Sequence, residues 1–140
     1  MKKTKIKKIG MAMAMLATVL CISAIPARAK TSEYYFNLKV NTSDISLRTL
    51  KDGGSDFEQR FYVTPTYFNN NVRYHAASFL LDTHSQYGVD IALSPSGVNK
   101  TVNGSYYKYA SANKYYYLVG TYDAAATSGP SLYVKGRFTP

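Results

Sequence analysis

Apolar and polar side chains alternate along most of this chain from residue 34 onward, the period-two pattern of strands that bury one face. In the segment 34–40, Phe36, Leu38 and Val40 fall on one side and Tyr35, Asn37 and Lys39 on the other. Ile45, Leu47 and Thr49 continue the theme up to Asp52-Gly53-Gly54, a turn signal. Phe57, Gln59, Phe61 and Val63 alternate with Glu58, Arg60, Tyr62 and Thr64. Pro65 is expected to close that strand, because proline brings no amide hydrogen to a ladder. Asn69-Asn70-Asn71 reads as a polar turn, since Asn tolerates left-handed backbone angles. Residues 72–81 are the most apolar stretch of this region and are expected to lie centrally. Val89, Ile91 and Leu93 form the next strand, ended by Ser94-Pro95-Ser96-Gly97. A short strand over 98–102 precedes Asn103-Gly104, the best two-residue hairpin signal in the chain. Segments 105–109, 115–122 and 131–138 complete the set, the last two separated by a small-residue loop holding Gly129-Pro130.

About seven to nine short strands at roughly ten-residue spacing, with no helical pattern among them, predict an all-β fold. The expected architecture is a small antiparallel β-sandwich, Ig-like or Greek-key in layout, because a barrel of this size leaves little room for an interior ligand.

The first 29 residues differ in kind. Met1 to Lys8 is basic, an apolar run of sixteen residues follows from Gly10 to Ile25, and Pro26 breaks it. Ala27 and Ala29 then place small residues at the last and third-last positions before Lys30. This is the pattern of a cleavable signal helix, with cleavage expected after Ala29 and a secreted domain over 30–140. An uncut anchor is the rival reading, but the run falls short of the ~20 residues that a spanning helix needs. A lipid-modified Cys21 needs a small residue just before it, whereas Thr18-Val19-Leu20 stands there. The expected product is extracellular, with no transmembrane anchor after cleavage, released or held at the surface by binding.

Removing that segment changes the composition. Six of the 17 Lys and Arg go with it, leaving 11 basic against 8 acidic residues. All four Met and the only Cys go too, while all 14 Tyr and six Phe stay, and Trp is absent throughout. A disulfide scaffold, a cysteine metal site, a cysteine nucleophile and a strongly cationic nucleic-acid binder are thereby excluded for the domain. Stability has to come from packing of Phe, Tyr, Leu and Val.

Four segments carry a family likeness: Ala77-Ser78-Phe79-Leu80-Leu81, Tyr106 to Tyr109, Asn113-Lys114-Tyr115-Tyr116-Tyr117-Leu118, and Tyr133-Val134-Lys135-Gly136-Arg137-Phe138. Together they resemble an uncharacterised family of small exported, Tyr-rich proteins of Gram-positive bacteria. Members of that family end in aromatic-Val-Ser-Gly-aromatic-Trp followed by acids. Here the end is Tyr133-Val134-Lys135-Gly136-Arg137-Phe138-Thr139-Pro140, without the Trp or the acids. More loosely, the layout is similar to lactococcin-type bacteriocins, Sec-exported cysteine-free β-sandwiches. The resemblance implies antagonism or envelope interaction outside the cell, and it transfers no catalytic residue.

Candidate chemistry is sparse. Asp82 and His84 could form a carboxylate–imidazole pair with Ser85, Ser78 or a Tyr as nucleophile, though 82–88 reads as a polar loop. His75 is a strand residue, and Asp82, His84 and Asp90 match no recognised metal spacing. No paired-carboxylate, phosphate-loop or Ser-elbow signature is present, so neither catalysis nor a cofactor or metal is expected. The tyrosines are the unusual feature. Tyr106, Tyr107 and Tyr109 precede the link 110–114, and Tyr115, Tyr116 and Tyr117 follow it. Paired as a hairpin, the two segments would carry aromatics on both faces, one buried and one exposed. Exposed tyrosines beside Lys108 and Lys114 suit stacking on sugar rings or a membrane interface, and cross-strand pairing within the sheet is the plainer alternative. Beyond residue 90, Lys100, Lys108, Lys114, Lys135 and Arg137 face Asp123 alone. That imbalance favours an anionic cell-wall polymer, a glycan or a lipid headgroup as partner, and not nucleic acid.

The expectation is a non-enzymatic secreted protein at the bacterial cell surface, bacteriocin-like or envelope-binding. A self-assembling matrix protein and a small hydrolase using His84 and Asp82 are the rivals. Expression of the full chain in a Gram-positive host should yield culture-medium protein whose first residue by mass spectrometry is Lys30. Protein retained with Met1 in the membrane fraction would refute the cleavage site.

Overall fold

The computed structural model describes residues 30–53, 58–123 and 127–140; the segment expected to be a signal helix, with Ala27 and Ala29, and Phe57 lie outside these residues. The described residues form β1 (Ser32–Leu38), β2 (Ser43–Ile45), β3 (Thr49–Leu50), β4 (Arg60–Phe68) and β5 (Tyr74–Leu80). After these come β6 (Ser85–Gln86), β7 (Ile91–Leu93), a single 3-10 turn (Pro95–Gly97), β8 (Val102–Ser105), β9 (Tyr115–Tyr122) and β10 (Leu132–Thr139). Two antiparallel sheets result. The first has the order β1-β10-β4-β8, and in it no two neighbours are consecutive in the chain. The second has β9 and β5 at its centre, with β2 and β3 along the outer side of β9 and β6 and β7 along the outer side of β5. The chain changes sheet at each of the links β1–β2, β3–β4, β4–β5, β7–β8, β8–β9 and β9–β10, so the two layers are threaded together as a β-sandwich.

Aromatic rings fill the space between the layers. Tyr34 and Phe36 from β1, Phe61 from β4 and Phe138 from β10 meet Tyr74 from β5 and Tyr116 from β9, all at most 1% exposed. The Tyr34 and Tyr74 hydroxyls lie 2.5 Å apart across the interface, and the Ser78 and Tyr106 hydroxyls lie 3.0 Å apart. Burial therefore pushes the Tyr34, Tyr74 and Tyr106 phenols well above their ordinary pKa. Rings of this width need room on the facing strands. A Cβ on Gly120 would stand 2.5 Å from the Phe36 ring, and one on Gly136 would stand 2.3 Å from the Tyr34 hydroxyl.

Several expectations change here. Asn103-Gly104 makes no hairpin: both residues lie inside β8, opposite Tyr62 and Phe61. Gly104 serves for space, since a Cβ there would stand 2.3 Å from the Phe61 ring, and no described glycine has a positive φ. The left-handed turn residues are Asn41, His84, Asn99 and Asn113. Residues 98–101 are not a strand, and the strand expected over 105–109 stops at Ser105, leaving Tyr106 in an isolated bridge to Gly88. Ile45 and Leu47 point outward at 63% and 75% exposure, while Ser46 and Thr49 are buried. The Ser46 hydroxyl is needed inside, where it accepts the Leu118 amide at 2.8 Å. Pro65 does not end β4, which runs three residues past it through a bulge.

The Tyr34–Tyr74 contact makes a sharp prediction. Tyr34→Phe leaves a buried hydroxyl on Tyr74 without this partner and should cost about 1–3 kcal/mol in urea unfolding. Tyr34→Phe/Tyr74→Phe should be less destabilised than the single-variant costs summed. Strict additivity would show that the pair contributes nothing jointly.

Candidate binding face

The outward side of the first sheet collects what the core rejects. β10 points Tyr133, Lys135 and Arg137 outward, and β1 sets Asn37, Tyr35 and Glu33 directly opposite them. On the other flank, β4 places Tyr67 beside Lys135 and Thr64 beside Arg137. A bulge makes this possible. Pro65 pairs with Gly136 and Tyr67 with Lys135, so Thr66 is the extra residue of β4. Continuing the inward alternation Phe61, Val63, Pro65 would send Tyr67 inward and Phe68 outward. The added residue reverses both, as bulges do. Phe68 packs on the core, 5.7 Å from the Tyr74 ring, and Tyr67 emerges 47% exposed.

The Lys135 ammonium consequently lies among three rings, 5.7 Å from the centroid of Tyr35, 5.9 Å from Tyr67 and 5.6 Å from Tyr133. Each contact is within cation–π range, about 0.5–1 kcal/mol at an exposed site. Tyr67 and Tyr133 are themselves edge to face at 6.3 Å. The Tyr35 hydroxyl donates to Glu33 Oε2 at 2.6 Å, and that carboxylate holds the phenol above its ordinary pKa. Among the described residues no carboxylate lies within 4.0 Å of Lys135 or Arg137, whereas Lys114 pairs with Asp82 at 2.6 Å and Arg73 with Asp123 at 3.1 Å. An open depression of about 290 Å³ is lined by Glu33, Tyr35, Thr66, Lys135, Gly136 and Arg137. A second, about 320 Å³, wraps the free edge of β1 toward Ile45 and Leu47, and Tyr35 walls both. Stacking, hydrogen bonding and a positive charge are thus available together on a flat surface.

Comparison with known protein families, with curated proteins and with solved structures finds no match.

The tyrosines singled out from the sequence are placed differently. The expected hairpin does not form, because β9 pairs with β5 on one side and with β2 and β3 on the other. Tyr106 and Tyr116 are core residues, their centroids 5.5 Å apart. Tyr117 is buried against Phe79 at 5.7 Å and the His84 ring at 6.2 Å. Tyr107, Tyr109 and Tyr115 are exposed. Lys108 stands over Tyr87 at 5.3 Å and Tyr107 at 5.7 Å, and Arg48 stands over Tyr115 at 5.0 Å. The eight residues therefore divide between core and periphery, and they make no single surface. Asp82 binds Lys114, leaving His84 as a turn residue against Tyr117. His75 meets Asp90 at 3.1 Å and Asp123 at 3.9 Å on the outer side of the second sheet. Among the described residues no His, Asp and Glu group is placed to hold a metal ion.

Lys51 was not anticipated. It is 3% exposed, its ammonium 5.0 Å from the Tyr106 centroid and 3.3 Å from the Arg60 carbonyl it donates to. Burial lowers its pKa to about 8 from 10.5, partly opposed by Glu58. The folded chain thus holds this proton less tightly than the unfolded one. Its charge penalises folding below about pH 8, and the penalty disappears as pH rises toward 10.5. Urea midpoints should rise from pH 7.5 to 9.5 in the parent protein, and Lys51→Met should lack that rise. Equal pH slopes in the two proteins would contradict the assignment.

Proposed function

We propose that this is an exported, non-catalytic β-sandwich that binds the bacterial cell envelope through the tyrosine face of its first sheet. The observation that carries the reading is the Lys135 ammonium held among Tyr35, Tyr67 and Tyr133 on an open strand surface. Tyrosine suits such a surface because its ring is apolar while its hydroxyl stays wet, and two χ angles leave little side-chain entropy to lose on binding. A central cation adds attraction to the anionic polymers of a Gram-positive wall. The resemblance to small exported Gram-positive proteins and to lactococcin-type bacteriocins supports the same address and allows for growth inhibition as the result of binding.

Edge-to-edge assembly into a matrix has less to support it. Asp44 Oδ2 accepts the outward Asn37 amide at 2.9 Å, occupying a donor of the β1 edge. The other described edge strands are two to four residues long, and short, blocked edges disfavour pairing between copies.

Sedimentation of the labelled protein with whole Gram-positive cells tests the reading. Binding should be present at low salt, weaken in 0.5 M salt by the order of tenfold because exposed charges are screened, and drop likewise in Tyr35→Ala/Tyr67→Ala/Tyr133→Ala. Unchanged binding in a folded triple variant would exclude this face as the contact.

A further inference from the structure

The arrangement of charge within the tyrosine face says more about the ligand than the face alone. Tyr35, Lys135 and Tyr67 stand side by side on three adjacent strands, in register. Adjacent strands are about 4.8 Å apart, so the two flanking tyrosines are rooted roughly 10 Å from each other with the ammonium between them. Three linked pyranose rings cover such a span, the outer two over the tyrosines and the middle one over the ammonium. A sugar ring presents one face of C–H groups to an aromatic ring, so each flanking tyrosine can take one sugar. A purely neutral trisaccharide would then lie across a lysine charge for which the described residues offer no carboxylate within 4.0 Å. Arg137, two residues along the same strand, extends the positive charge, and Glu33, the acid that lines the same depression among the described residues, is engaged by the Tyr35 hydroxyl. The bulge at Thr66 contributes by turning Tyr67 outward to complete the row.

Resting on the envelope-binding reading, we infer that the ligand is an acidic glycan, bound with its carboxylate or phosphate at Lys135 and its neighbouring sugar rings stacked on Tyr35 and Tyr67. The three cation–π contacts hold the ammonium in place before the ligand arrives, which reduces the ordering that binding requires. The tyrosines supply affinity for the sugar and the lysine supplies the preference for an acidic one.

Calorimetric titration of the full-length gene product, as the expressing host delivers it, tests this with five probes. These are a galacturonate hexamer, a sugar-phosphate polymer, a neutral glucose hexamer, inorganic polyphosphate and phosphatidylglycerol vesicles. At least one of the two acidic glycans should bind about tenfold tighter than the neutral hexamer at 50 mM salt, the size of one charge-assisted contact. Whichever binds identifies the acid as carboxylate or phosphate. Lys135→Met should abolish the preference while retaining weak binding, and Tyr67→Ala should weaken neutral and acidic glycans alike. Binding of the neutral hexamer as tight as that of both acidic glycans would overturn the role of Lys135. Polyphosphate binding as tight as that of the acidic glycans and indifferent to Tyr67→Ala would overturn the stacked geometry in favour of plain ionic attraction. Binding to vesicles alone would replace the glycan with a lipid surface. If every glycan fails while cells are still bound through the same tyrosines, the ligand class falls and the envelope reading survives. If cell binding also ignores the tyrosines, both fall.

Discussion

Two sheets without a disulfide between them are held together by aromatic rings, and the Tyr34–Tyr74 hydroxyl pair shows the constraint those rings impose. A buried phenol needs a hydrogen-bond partner, and in this interior each sheet supplies the other's. Tyr106 meets the Ser78 hydroxyl of β5, while Tyr122 donates to the Pro130 carbonyl at 2.9 Å. Among the described residues no buried side-chain nitrogen or oxygen lacks a partner. Using tyrosine where other cores use leucine fixes how the layers face each other, because hydroxyls tolerate less sliding than methyl groups do.

Ring width then dictates where glycine must stand. The Phe61 ring is flanked by Gly88 and Gly104, Phe36 lies against Gly120, and Tyr34 lies against Gly136. Gly136 also pairs with Pro65 at the bulge in β4, so the feature that admits Tyr34 to the core adjoins the one that turns Tyr67 out of it. The core and the proposed binding face therefore meet at one local irregularity. Prolines inside strands sit at such irregularities because the disturbed ladder there does not need their missing amide.

The outward faces of the two sheets differ in charge handling. On the second, His75 meets two carboxylates, and Arg73 and Lys114 are paired with acids. On the first, Lys135 faces rings. A lysine over tyrosines keeps its field available to a partner, whereas a lysine on an aspartate has much of it cancelled.

Period-two alternation determined the all-β class, the inward set Phe36, Leu38, Phe61 and Val63 and the extent of the strand over 115–122, and sheer apolarity gave the central place of residues 72–81, because burial writes itself directly into sequence. It could not show that Ser46 goes inside and Ile45 out, since that choice was made by an amide of Leu118 seventy-two positions away. Nor could it separate glycine that makes space from glycine that makes turns: Gly104 follows an Asn in the ordinary hairpin manner, and only the Phe61 ring beside it reveals the difference. The six tyrosines over 106–117 were expected to share one hairpin because they are close in the chain. Strand pairing sent β9 into the second sheet and left Tyr106 bridging to Gly88, so proximity in sequence was not proximity on a face. The residues that do share a face, Tyr35, Tyr67, Tyr133 and Lys135, come from three strands brought together by register and one inserted residue. Register between distant strands is a property of the assembled sheets, and tertiary structure alone decides it.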